Sequence, residues 1–308
     1  MASETGPELN PDTTGGRLRR YLNVERYLDE TTSPRRALLV YGLLFLYFAW
    51  FLVPVIWLAL STVKSGAIIQ ADRLIIIPSA EHFTLGHYEQ VLTNPQFIRL
   101  FVNSTVIALS TVVLTLSVGI LGAYSLSRFS YPGRSAILVS FMATKMLPPA
   151  LIIIPFFLMM YSYTLVDTYL GIILAHSIRA LPLALWLLKG FFDDIPQALD
   201  ESARIDGCSH FRTLVHIIIP LALPGIAVAA FYTFVTSWND FLFVSVLSQS
   251  GTTRTLPFGL FLFQSQNSIN WGATITAATI TAVPSIVLFA LVQNEIVEGL
   301  ASGGMHGE

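Results

Sequence analysis

Long apolar windows alternate with short polar ones along this chain. No charged residue occurs in Ala37–Val63, Leu100–Ser127 or Thr255–Asn294. A helix of about 20 apolar residues crosses the ~30 Å hydrocarbon core of a bilayer. The pattern therefore predicts six spanning helices, at residues 37–61, 101–125, 136–161, 170–191, 213–236 and 272–293. Two inter-span segments, 62–100 and 237–271, mix apolar runs with Pro, Asn and aromatic residues. Such segments pack at headgroup level or fold back toward a pore. The stretch Asp193–Gly225 differs from all the others, because five of its first fourteen residues are acidic.

Composition supports the membrane reading. The 308 residues are 54% hydrophobic and 12% charged, against roughly 25% charged in an ordinary soluble domain. The fold class is all-α integral membrane. Lys and Arg are distributed unevenly: with the N-terminus inside, eleven of the seventeen fall on the cytoplasmic side and four outside. That asymmetry predicts cytoplasmic termini and a cytoplasmic acidic loop. The domain plan is an N-terminal tail over 1–36, a membrane domain over 37–293 and a C-terminal tail over 294–308. The first sixteen residues are expected to be disordered. Arg17–Leu28 is either an interfacial helix or a solvated tail. Met1–Arg36 is too polar for a cleavable signal, so the first span acts as its own targeting segment.

Several chemistries are absent. There is no phosphate loop, no HExxH, no GxSxG and no Cys/His cluster. Cys208 is the only cysteine, which excludes an intramolecular disulfide and a cysteine zinc site. Met142, Met146, Met159 and Met160 read as packing residues. No catalytic residue, metal, cofactor or nucleic-acid partner is expected of this chain, and any uphill transport draws on an ion gradient or a partner.

The acidic stretch reads as a short surface helix of about 195–207. Asp194 is its expected N-cap, with Pro196 in the first turn and Gly207 closing the far end. Ile195, Leu199 and Ala203 mark a buried stripe, and Glu201 and Arg204 stand as an i, i+3 pair. A second helix starts at Ser209, and Pro220 and Pro224 bend the span that follows. The surface helix is either a docking knob for a soluble subunit or a solvated connection. Within the spans, Lys145 and Arg179 should face the bundle interior or a watery cavity, near His176, Thr144 or Asp240. They line a path, or Lys145 snorkels and Arg179 pairs structurally. Trp238, Asn239 and Asp240 form either a loop reaching toward a ligand or a structural hairpin.

The run Glu201-Ser202-Ala203-Arg204-Ile205-Asp206-Gly207, with Phe211, Pro220 and Pro224-Gly225, resembles the EAA loop of ABC importer permeases. Ser202 and Cys208 replace small alanines of that pattern with other small residues. Asn103-Ser104, Ala123-Tyr124 with Arg128, Pro132-Gly133-Arg134, Leu181-Pro182 with Trp186, Ser237-Trp238-Asn239-Asp240 and Thr255-Leu256-Pro257 are similar to the carbohydrate branch. So is the tail Glu298–Gly304.

That resemblance implies a six-helix type I importer (MetI-like) bundle, the second permease of a maltose or glycerol-3-phosphate type pair. It implies ATPase coupling through Leu199, Glu201, Ser202, Ala203, Arg204, Asp206 and Gly207, and a tail contact through Gly299, Gly303 and Gly304. His306 stands where the family's tail usually carries a lysine. The implied partners are a homologous permease, two ATPase subunits holding ATP and Mg, and an extracytoplasmic binding protein, all at a prokaryotic cell membrane. An ion-coupled secondary transporter or a channel is the alternative.

Overall fold

The structure, a computed structural model, describes residues 34–69, 77–260 and 270–303. Among them there is no β-strand, only one isolated bridge between Lys64 and Phe83. In chain order, α1 (Pro34–Ser61) and a single helical turn at Gly66–Ile69 precede the short α2 (Gly86–Leu92) and α3 (Pro95–Arg128). Next come α4 (Arg134–Met146), α5 (Pro149–Ser162), α6 (Tyr169–Asp193) and α7 (Gln197–Ile205). The remaining helices are α8 (His210–Leu221), α9 (Leu223–Trp238), α10 (Leu242–Leu247), α11 (Leu256–Leu260) and α12 (Trp271–Gly303). The interfacial-helix region at 17–28 and tail residue Gly304 lie outside the described residues.

Four helices, α1, α3, α6 and α12, are long and apolar enough to cross a membrane, and the count is six if each of two bent pairs is one span. The span expected at 136–161 is not continuous. α4 and α5 meet at 104°, because Leu147-Pro148-Pro149 places two residues in a row before a proline. Proline's ring disfavours the helical region for the residue before it. At this double proline both Leu147 (ψ 127°) and Pro148 (ψ 129°) are extended, whereas the single prolines Pro54, Pro155, Pro182 and Pro284 lie inside continuous helices. The bend expected from Pro220 and Pro224 is present and large: α8 and α9 meet at 81°. It follows a π turn at Leu214–Ile218 and centres on Ala222. Proline supplies no N–H to the ladder, and a widened turn is a common accommodation at such a gap.

The chain divides after Ala59 into two units. α1, with Pro54 inside it, makes up the described part of the first. The second unit is built around α3, which contributes to three separate apolar clusters. Ala123, Tyr124 and Leu126 pack with Leu185, Leu188 and Phe192 of α6 and Leu214 and Ile218 of α8. Leu100 and Ala108 pack with Trp238 of α9, Leu256 of α11 and Ala273 of α12. Ile107 packs with Phe156 of α5, Ile172 of α6 and Val244 of α10. α3 and α6 share the most extensive interface. α9 comes so close to α6 that a Cβ at Gly225 would overlap the Phe191 ring. Glycine is needed there for close approach, independently of its backbone freedom.

Polar residues of α3 pin the loops at its first-turn end. Asn103 Nδ2 donates to the carbonyls of Thr252 and Arg254, both at 2.8 Å, and Asn103 Oδ1 accepts from the Tyr169 hydroxyl at 2.6 Å. Ser104 Oγ accepts the Leu256 N–H at 2.8 Å. Nearby, Asp167 accepts the Ser250 N–H at 3.1 Å and the Thr253 hydroxyl at 3.2 Å. Partial burial acts to raise the Asp167 pKa, but the hydrogen bonds from Ser250 and Thr253 outweigh it and hold the carboxyl below its ordinary value.

Candidate functional site

α7 lies at the other end of α3, where its surface exposure and its end caps are both distinctive. Its C-terminus is a Schellman motif: the Gly207 N–H reaches the Arg204 carbonyl at 3.0 Å and the Cys208 N–H reaches Ala203 at 2.9 Å. Gly207 sits at φ +82°, a left-handed conformation in which glycine has no Cβ penalty. The helix therefore stops where the sequence indicated. Its start differs from expectation. Asp194 is helical and ends α6, with its N–H on the Gly190 carbonyl, and the N-cap is Pro196 without a side-chain cap. Proline two residues later had suggested Asp194, but α6 runs on to Asp193 and leaves a connection too short for a separate cap there.

The buried stripe is also narrower than predicted. Ile195 and Ala203 are buried, but Leu199 is 39% exposed. Ile195 precedes the helix, so its register does not carry into Leu199, and four residues advance a helix by more than one turn. Asp200, three before Ala203, takes the inward place instead. Glu201 and Arg204 are both exposed and do not pair with each other among the described residues. The outward face carries Leu199, Glu201, Ser202 and Ile205, with Ile205 86% exposed, and Phe211 is exposed at the start of α8. Ser209 caps α8 as expected, accepting the Arg212 N–H at 3.3 Å. Leu199, Ile205 and Phe211 are thus large apolar side chains left exposed close in sequence to the exposed Glu201, Arg204 and Asp206.

Sequence reasoning missed the anchor beneath α7. Asp200 Oδ2 lies 2.9 Å from Arg128 Nε, an ion pair off the line of a hydrogen bond, and Asp200 Oδ1 accepts the Tyr124 hydroxyl at 3.0 Å. Tyr124 and Arg128 lie four apart on α3, so one helical face presents both. That spacing was visible in the sequence, but its partner was not.

The second polar group lies within the bundle. Arg179 Nη1 pairs with Asp240 Oδ2. Asp240 Oδ1 accepts the N–H groups of Phe243 (2.9 Å) and Val244 (3.3 Å) and faces His176 Nε2 at 3.3 Å. His176 Nδ1 is 2.7 Å from Ser237 Oγ. Lys145, at the α4–α5 break, donates to the Arg179 carbonyl and to the Tyr232 hydroxyl, the latter at 2.9 Å. Four of the predicted residues, Lys145, Arg179, His176 and Asp240, are thus brought together. Thr144 is not among them, as its hydroxyl bonds the Phe141 carbonyl. Trp238 is buried, stacked on Phe234, with its indole N–H on the Thr281 carbonyl at 3.0 Å. Asn239 is exposed and ends α9. Gly299 and Gly303 lie in the last turns of α12. Among the described residues no His, Cys, Asp and Glu group could hold a metal ion.

Comparison with known proteins gives matches over most of the chain. The family described as "Binding-protein-dependent transport system inner membrane component" matches residues 115–294. The chain is 35% identical over 230 residues to the inner membrane ABC transporter permease protein YcjP of Escherichia coli (strain K12), covering 74% of this chain and 82% of that one. It is 31% identical over 277 residues to the trehalose/maltose transport system permease protein MalG of Thermococcus litoralis, covering 89% and 98%. Its fold is similar to a solved bacterial ABC transporter involved in import of the acidic polysaccharide alginate. There the TM-score is 0.73 at 21% identity, over 94% of this chain and 99% of that one.

Proposed function

Because this chain belongs to the family of inner membrane components of binding-protein-dependent transport systems, we propose that it is the permease subunit of an ABC importer for a carbohydrate, driven through α7 by a partner ATPase. The observation that carries the coupling role is α7 itself. It is a surface helix with a fixed end, a buried anchor and an outward face of Leu199, Glu201, Ser202 and Ile205. A sugar or oligosaccharide is supported by the transport named for the Thermococcus litoralis relative, and a related sugar phosphate or polyol belongs to the same proposal.

In this reading the α7 end is cytoplasmic, as the Lys and Arg asymmetry favours. ATP and Mg belong to two partner ATPase subunits, and a second permease completes the membrane unit. An extracytoplasmic binding protein delivers substrate, as the family's description suggests. The glycine-bearing tail (Gly299, Gly303, Gly304) reaches the ATPase pair. Closure of that pair displaces α7, and the bundle alternates between inward and outward access. Lys145 and the partly exposed Arg179 face the path, while Asp240 and His176 hold Arg179 in place. An ion-coupled transporter would instead need a carboxylate free to take a proton from water. Asp240, 2% exposed and held by Arg179 and two backbone N–H groups, does not suit that task.

The test is co-purification of this chain with an ATPase subunit, with the association lost in Glu201→Lys and in Gly207→Asp. Uptake that persisted with no ATPase present would sink the reading.

A further inference from the structure

α7 is held by more than its two chain connections. The last turn of α3 grips the segment before, within and after it. Arg128 Nη2 donates to the Ile195 carbonyl at 3.0 Å, just before α7. Arg128 Nε and the Tyr124 hydroxyl hold the two oxygens of Asp200 within it. Phe129 meets the His210 ring edge-on at 5.0 Å, just after it. Another bond ties α3 to the end of α6, where the Ser127 hydroxyl donates to Asp193 Oδ1 at 2.6 Å. The Arg128 and Asp200 side chains are only 6% and 14% exposed, so water does little to loosen the pair. A planar guanidinium serves the Ile195 carbonyl and the Asp200 carboxylate in one fixed geometry, which a lysine ammonium cannot reproduce.

We infer that Arg128 is a positioning residue that makes α7 and α3 one mechanical body. Displacement of α7 then enters the bundle through α3, the helix common to all three apolar clusters, rather than through the bent α8–α9 pair. This rests on the reading of α7 as the ATPase-contacting element. α3 is an unbroken helix joined to α7 by buried polar contacts, whereas the covalent route through α8 passes a π turn and an 81° bend.

The test uses the full chain in its assembled complex in lipid nanodiscs, with Mg-ATP and vanadate as the probe. One sample carries spin labels at the native Cys208 and at Val113→Cys, exposed on α3. A second pairs Cys208 with Leu291→Cys, exposed on α12. The nucleotide is expected to move the 208–113 distance by less than about 2 Å and the 208–291 distance by clearly more. Arg128→Lys, and Tyr124→Phe, which removes only a hydroxyl, should broaden and shift the 208–113 distance under the same nucleotide.

A native 208–113 distance that shifts as much as 208–291 overturns the inference. So does a 208–113 distance unmoved by both substitutions, or no change in either pair with the ATPase present. A purified complex that contains no ATPase overturns the reading of α7 as well.

Discussion

Two arginine–aspartate pairs in this molecule look alike on paper and differ in what they join. Arg179–Asp240 stitches α6 to the end of α9 inside the bundle, and its carboxylate is also held by two backbone N–H groups. Arg128–Asp200 ties a surface helix to the end of α3, beside exposed Glu201 and Ile205. Asp240 is buried within the bundle while Arg179 is partly exposed, so for stability that pair matters chiefly because removing Arg179 strands a buried carboxylate. A pair at the edge of an outward face is chiefly a matter of where that face is held.

Substitutions can break that contrast. Arg179→Met should be the most damaging, at about 3 kcal/mol, since Asp240 would be left buried without its cation. Thermal unfolding in detergent measures it, and a neutral result would remove the distinction between the two pairs. Gly225→Val should cost about 2 kcal/mol by driving α9 off the Phe191 ring, visible in the same assay. Gly207→Ala should cost about 1 kcal/mol, because a Cβ resists the +82° φ, and it should weaken ATPase capture more than it lowers the melting temperature.

Asp167→Asn provides a pH test. The folded pKa of Asp167 lies below its ordinary 3.8, so its contribution is present above that value and fades as the pH falls through the folded pKa. The variant should be less stable than the native chain at pH 7, and the two melting curves should converge on acidification below pH 3.8. Glu201→Lys should change stability least, within about 0.5 kcal/mol, while abolishing association with the ATPase in a pull-down.

Much of this arrangement was legible in the chain. Apolar windows located the long helices, and Gly207 located the end of α7, because φ above zero and a helix stop are written in a single residue. Arg179 near Asp240 and His176 followed from the cost of leaving charges unpaired in an apolar span. What escaped was anything set by long-range contact. Asp200 reads as one more acid in an acidic loop until Tyr124 and Arg128, more than seventy positions earlier, are folded beneath it. The inward place it takes is what turns Leu199 outward. The α4–α5 break was missed for a different reason. Hydropathy runs smoothly through Leu147-Pro148-Pro149, and only the two successive prolines register the interruption.

The two bends also differ in how far each stands from being straight. Leu147 and Pro148 have ψ of 127° and 129°, so continuing the helix would require turning each by roughly 170° toward the helical ψ near −42°. Proline's ring disfavours that for the residue before it. Ala222, at φ −91° and ψ 6°, needs a turn of only about 50°, and no ring stands in the way at that residue. The α8–α9 corner therefore stands much nearer to a straight helix than the α4–α5 corner does.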